Sequence, residues 1–280
     1  MDPADQDSPE FQALVSGALD IDIALVALEI ARDAYPTLDL PACLGEIQRL
    51  ADRCALRLGP TPEPWLIIEA MNSVLFLDEG FRGNEHDYYD PRNSYLNEVL
   101  TRRLGIPISL SVLYMTIARR LGLVLQGINV PTHFMLRTTI DGEHVYVDPY
   151  HGGRVMDAAA LMRFIEIRAQ AARLPLPLPI PEALGPVAQA LIVRRMLYNL
   201  KFVHLNTRRL PAAIPVMRRL ALLSPDQPSE LRDLGIACIY GGQRQEGCGY
   251  LEEYLRRAPD AVDAPQIRNL LHATPNAAGE

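Results

Sequence analysis

Apolar positions recur at helical spacing through the first part of the chain. Between Ile21 and Ala34 nearly every uncharged position is apolar, with Asp22, Glu29 and Arg32 interspersed, and Tyr35-Pro36 follows. This predicts a largely buried helix. Leu44, Ile47, Leu50, Ala51 and Cys54 keep a helical period across residues 41–57, with Pro41 at its start. A third helix is expected from Trp65 to Leu77. The stretch Gly80 to Pro91 is rich in turn formers and reads as a loop. Asn93-Ser94 is the expected cap of a helix running to Leu104, with Gly105 ending it and Pro107 starting the next helix, which runs to Gly122. The pattern then changes to three strands, near 124–130, 133–139 and 144–149.

Pro175, Pro177, Pro179 and Pro181 alternate with Leu and Ile. That composition favours an extended polyproline II linker. The expected organisation is a core domain over 1–172, a linker over 173–186 and a helical domain over 187–280. The last of these carries a repeat with a period of 34: Pro225-Asp226 recurs as Pro259-Asp260, Leu200 matches Leu234, Leu205 matches Ile239, Met217 matches Leu251, and Leu220 matches Tyr254. A 34-residue helix–turn–helix period is the tetratricopeptide signature. The concave face of such a stack commonly receives peptides, so the expected partner is a protein or peptide held by the repeats.

The 280 residues are 49% hydrophobic, enough for a buried core, and carry a net charge of −7. An acidic balance argues against nucleic-acid binding, which needs a basic face. No apolar run approaches the roughly 20 residues of a membrane span. The start, Met1-Asp2-Pro3-Ala4-Asp5, lacks the basic segment of a signal peptide. Cys43, Cys54, Cys238 and Cys248 have no metal-ligand spacing and read as core or surface thiols in a reducing cytoplasm.

The candidate chemistry centres on His133 and Asp148. Asp141-Gly142 is a strong type I′ turn signal. With that turn, Ile140 pairs with Glu143, Met135 stands opposite Asp148, and His133 stands opposite Tyr150. Alternation puts His133, Asp148 and Tyr150 on one face, with His133 and Asp148 as diagonal neighbours about 7–8 Å apart by backbone. A carboxylate there can fix the tautomer of an imidazole. The other reading is a surface histidine beside an acidic neighbour.

The motifs Gly80-Phe81-Arg82-Gly83-Asn84, Tyr88-Tyr89-Asp90-Pro91-Arg92-Asn93-Ser94, Leu104-Gly105-Ile106-Pro107-Ile108-Ser109-Leu110-Ser111, Arg120-Leu121-Gly122-Leu123, His133-Phe134 and Asp148-Pro149-Tyr150-His151-Gly152-Gly153 occur in that order. Together they resemble the SirB-type bacterial proteins, which join a transglutaminase-like core to tetratricopeptide repeats, over roughly residues 20–272. The resemblance implies an α+β, papain-like core of helices on a small antiparallel sheet, followed by an all-α helical domain. It implies that His133 and Asp148 match the family's His and Asp. It also implies a nucleophilic cysteine near Pro107 to Ser109, where this chain has none, and a glycine where this chain has Thr132. A regulatory role in gene expression is suggested for some members.

A serine hydroxyl at the helix start gains too little from oriented amides to ionise, so Ser109 would need His133 as a general base. The alternative is that Ser109, like Ser111, serves the helix start. A metal quartet of His133, His144, His151 and Asp148 is disfavoured, because His144 lies about 13 Å along the strand from Asp148. No metal and no cofactor are therefore expected. Asp87, Tyr88, Tyr89 and Asp90 either rim a cleft or form a turn with buried tyrosines. Arg194, Arg195, Arg208, Arg209, Arg218 and Arg219 form basic pairs that face solvent or receive an acidic peptide. Two functions follow from these readings. The first is a transglutaminase-like protein without its nucleophilic cysteine, acting as a regulatory protein-binding module. The second is a serine hydrolase or acyl transferase using Ser109, His133 and Asp148.

Overall fold

The computed structural model describes residues 8–173 and 184–273. The four alternating prolines of the expected linker lie outside the described residues. The chain divides into two compact units, residues 1–196 and 197–280.

In the first unit, helices α1 (Pro9–Val15), α2 (Ile23–Arg32), α3 (Leu40–Ala55) and α4 (Pro64–Asn72) come first. Their starts are set by side chains. Asp22 accepts from the amides of Ala24 and Leu25, and Asp39 from that of Ala42. Glu29, buried in α2, accepts from the amides of Glu10 and Phe11 and so satisfies free donors of α1. α4 runs into a π-helical turn, Ser73–Asp78, which completes the helix expected to reach Leu77.

Strand β1 (Arg82–Gly83) pairs in parallel with β2 (Leu104–Gly105), which follows α5 (Leu96–Arg102). Neither short strand is visible as a pattern in the sequence. Two local expectations are corrected here. α5 is capped by neither Asn93 nor Ser94, because Tyr95 precedes its first turn and Asn93 sits in a 3-10 turn, Pro91–Asn93. The helix ends at Arg103, at a φ of 61°, ahead of Gly105.

α6 (Pro107–Arg120) starts at Pro107 as expected and is buried along most of its length. A four-stranded antiparallel sheet follows, in the order β3 (Gln126–Val130), β4 (His133–Ile140), β5 (Glu143–Asp148) and β6 (Arg154–Met156). Ile140 pairs with Glu143 and Leu136 with Val147, the predicted register, but the ladder ends there: Tyr150, expected on the strand opposite His133, lies in the 3-10 turn Pro149–His151 because the chain turns away after Asp148. Asp141 and Gly142 take φ values of 52° and 83°, as a type I′ turn requires. α7 (Ala158–Ala172) covers one sheet face. Ile128, Val130, Met135, Tyr146 and Met156 pack there with Leu161 and Ile165 of α7. Full burial of such a side chain contributes about 1.5–3 kcal/mol.

α8 (Gln189–Asn206) spans the division between the units. The second unit continues with α9 (Leu210–Leu223), α10 (Pro228–Tyr240), α11 (Arg244–Arg257) and α12 (Ala264–Ala273). Both ends of α9 recur in α11 at the predicted period of 34. Leu200, Leu234, Met217, Leu251, Leu220 and Tyr254 are all buried, whereas Leu205 is exposed. α10 and α11 meet at glycines: a Cβ on Gly247 would lie 2.7 Å from the Gly235 carbonyl oxygen. Lys201 is held between Glu230 at 2.7 Å and Asp233 at 2.8 Å.

Candidate functional site

His133 opens β4 and Asp148 closes β5. Alternation sends both toward the sheet face that carries Met135 and Tyr146, the face that α7 covers. His133 Nε2 donates to Asp148 Oδ1 at 3.0 Å, and both side chains are wholly buried. Asp148 also accepts from the Tyr150 amide at 3.1 Å and, through Oδ2, from His151 Nδ1 at 2.6 Å. A carboxylate is an acceptor only, so both imidazoles present a proton to it. His133 Nδ1 is left as a lone pair, buried and without a hydrogen-bond partner.

Electrostatics follow the geometry. Burial lowers the His133 pKa and outweighs the opposing pull of Asp148, so the ring is neutral at pH 7. Burial works to raise the Asp148 pKa, yet the hydrogen bonds from His133 and His151 outweigh it and hold the carboxyl below its ordinary range. The result is a neutral imidazole of fixed tautomer beside a carboxylate.

Aromatic rings surround the pair. Tyr150 and Phe164 lie 5.8 and 5.3 Å from the His133 ring, and Tyr88 stands 6.3 Å from Tyr150. Tyr88 and Tyr89 are exposed, which overturns the reading of that loop as a turn with buried tyrosines. Gly83 makes room for this arrangement, since a Cβ there would meet the Tyr150 ring at 2.5 Å. Behind the histidine, Arg195 donates to the His133 carbonyl at 2.9 Å.

Thr132 adopts a φ of 59° in the two-residue turn between Val130 and His133. A turn with proline first and a positive φ second favours glycine at the second position. This gives the physical reason for the glycine expected there. Arg168 Nε donates to Thr132 Oγ1 at 3.2 Å.

Ser109 takes a different place. It is the third residue of α6, wholly buried, and its Oγ accepts from the Ile106 amide at 3.0 Å while donating to the Asn93 carbonyl at 2.6 Å. It fills the role that a side chain three residues into a helix plays in a capping box. Its proton goes to a backbone carbonyl, not to an imidazole. The structure thus brings His133 and Asp148 together and commits Ser109 to the helix start. Open depressions of about 640 Å³, lined by Ile21, Met115 and Val124 among others, and about 540 Å³, lined by Trp65, His144 and Val155 among others, do not include His133.

Three groups at the site could hold a metal: His133, Asp148 and His151 present donor atoms within 4.8 Å of one another. His144 is not among them and contacts Thr139 instead. Phe164 and Arg168 carry no local motif and are not visible in the sequence; Arg195, expected in a solvent-facing basic pair, instead donates to the His133 carbonyl, and Arg219 of another such pair is buried. His151 was weighed only as a metal ligand. Its position three residues after Asp148, across a proline-initiated turn, was the signal for its hydrogen bond. All four cysteines are unpaired, and burial pushes the Cys54 and Cys238 thiols up to about 11, which suits core residues.

A helix, a strand histidine and a strand aspartate on an α+β unit, followed by paired helices at a 34-residue period, define a transglutaminase-like protein with tetratricopeptide repeats. The transglutaminase-like superfamily profile matches residues 41–198, and a tetratricopeptide repeat profile matches residues 200–272. A UPF0162 protein of Xylella fastidiosa is 37% identical over 245 residues, covering 88% of this chain and 87% of the relative. A UPF0162 protein of Vibrio cholerae is 30% identical over 210 residues, covering 75% and 76%. F-box only protein 21 of Homo sapiens is 45% identical over 96 residues, 31% of this chain and 15% of that protein. No solved structure matches the chain. The chain belongs to the transglutaminase-like superfamily, among the UPF0162 proteins.

Proposed function

We propose that this protein is a regulatory protein-binding module: a transglutaminase-like unit without its nucleophile, joined to repeats that receive a protein or peptide. The observation that carries the reading is the Ser109 hydrogen bond to the Asn93 carbonyl at 2.6 Å, made by a wholly buried side chain. It commits the hydroxyl of the Pro107–Ser109 stretch, where the superfamily's cysteine is expected, to the backbone; Ser111, also expected to serve the helix start, is instead wholly buried and its Oγ makes no hydrogen bond. The match of residues 200–272 to tetratricopeptide repeats supports binding of a polypeptide. Among the described residues no helix is long and apolar enough to cross a membrane, and four unpaired cysteines suit a reducing cytoplasm.

The test is capture of partners by the full chain, beside a chain lacking residues 197–280 and the variants Ser109→Ala and His133→Ala. Capture lost only with the repeats is the expected outcome. Capture that survives their removal and disappears in His133→Ala contradicts the reading and returns attention to the His–Asp site.

A further inference from the structure

Asp148 accepts protons from two imidazoles at once, on its two oxygens. We propose that His133, Asp148 and His151 form a binding site for a divalent transition-metal ion of the zinc class. Two imidazoles and one carboxylate are a zinc-type donor set, and three protein ligands leave a fourth position open. The quartet weighed from sequence fails at His144, but the remaining three converge.

The geometry is close to what an ion needs. Donors around tetrahedral zinc stand about 3.3 Å apart, given bonds of about 2.0–2.1 Å. Here the nitrogen–oxygen separations are 3.0 and 2.6 Å, and all three donor atoms lie within 4.8 Å of one another. The two separations run to different carboxylate oxygens, so an ion held by all three would draw one oxygen toward both nitrogens. The donors sit on ordered elements: His133 at the start of β4, Asp148 at the end of β5, and His151 closing the 3-10 turn Pro149–His151. The Tyr150 amide fixes the orientation of the carboxylate. His133 and Asp148 are sealed, but the His151 side chain is 34% exposed and gives an ion its route.

The proton balance is explicit. His133 now carries its proton on Nε2 and His151 on Nδ1, the nitrogens that face the carboxylate. Binding needs both lone pairs, so the His133 proton moves from Nε2 to Nδ1 and His151 frees Nδ1, its proton going to Nε2. Nδ1 of His133 is buried without a partner. Placing a proton there leaves a buried donor unpaired, which lowers the affinity by about 5- to 150-fold.

The test is calorimetric titration of the chelator-stripped, untagged full chain with zinc chloride. It is paired with 15N spectra of the histidine rings. One ion per chain is expected, with the His133 proton moving from Nε2 to Nδ1. His151→Ala and His151→Gln should weaken binding more than about 100-fold, beyond the 10–100-fold typical of losing an outer partner. Gln is included because it can keep a hydrogen bond to Asp148 while being a poor zinc ligand. His144→Ala, on the same sheet but outside the cluster, should bind as the parent does. No binding by the parent chain, parent-like binding by either folded His151 variant, or an unmoved His133 proton overturns the proposal.

Discussion

His133 Nε2 and Asp148 Oδ1 lie 3.0 Å apart at the ends of neighbouring strands, fifteen residues apart in sequence, with neither side chain reaching solvent. The carboxylate also serves His151 and the Tyr150 amide. Truncating it leaves several donors facing an emptied, dry position. Asp148→Ala should therefore destabilise the first unit by about 3 kcal/mol, and Asp148→Asn by less. Urea unfolding of both variants measures this, and a near-neutral Asp148→Ala would mean the carboxylate is not the hub of the site.

Thr132 pays for the tight β3–β4 turn with a φ of 59°, a conformation that costs a β-branched residue about 1–2 kcal/mol. Glycine removes that strain but loses more entropy on folding, and the Arg168 hydrogen bond goes with the side chain. Thr132→Gly should raise stability by about 0.5–1 kcal/mol. Thermal melting reads the gain as a few degrees; a lower melting temperature would show that the Arg168 contact outweighs the strain.

Ser109 ties the start of α6 to the loop that carries Asn93. Ser109→Ala leaves the Ile106 amide and the Asn93 carbonyl without this partner, at a cost of about 1–2 kcal/mol. Denaturant titration reports it directly. An unchanged midpoint would mean that the hydroxyl is free of a capping duty.

The lowered pKa of His133 sets a pH dependence with a definite sign. In the unfolded chain the ring takes a proton at about pH 6.5, whereas in the folded protein it does so only at a lower pH. Between the two the unfolded state binds more protons, so stability rises with pH. This contribution is complete above about pH 6.5 and is lost as pH falls through the folded pKa. Asp148 acts with the same sign further down: its contribution is complete above about pH 3.9 and fades toward its lowered folded pKa. Stability should fall as the pH drops from ~7.5 to ~5.5, and His133→Gln should flatten that fall. His204, which burial also lowers, remains in both proteins and cancels in the comparison.

The His–Asp pair was legible because one turn fixed it. Asp141-Gly142 sets Ile140 against Glu143, and period-two alternation puts both residues on one face, although the paired ladder itself ends at Leu136 and Val147. The repeats were legible because apolar positions recur at an offset of 34, the offset that separates the ends of α9 from those of α11. What escaped the pattern depends on contacts distant in sequence. Asn93 reads locally as a helix cap, yet its side chain donates to the Asp87 carbonyl at 2.7 Å and accepts from Asn84 at 3.1 Å, holding the loop instead. The fate of Ser109 was open for the same reason, since its acceptor belongs to that loop. β6 is three residues long and α7 brings Phe164 and Arg168 to the site without any local signal of their purpose.

The most direct test of the central claim is labelling of the folded full chain with a serine-reactive fluorophosphonate probe, beside Ser109→Ala and His133→Ala. No labelling that depends on either residue is expected, because the Ser109 proton is held by the Asn93 carbonyl. Labelling of the parent chain that disappears in both variants would contradict it and make this protein a serine enzyme.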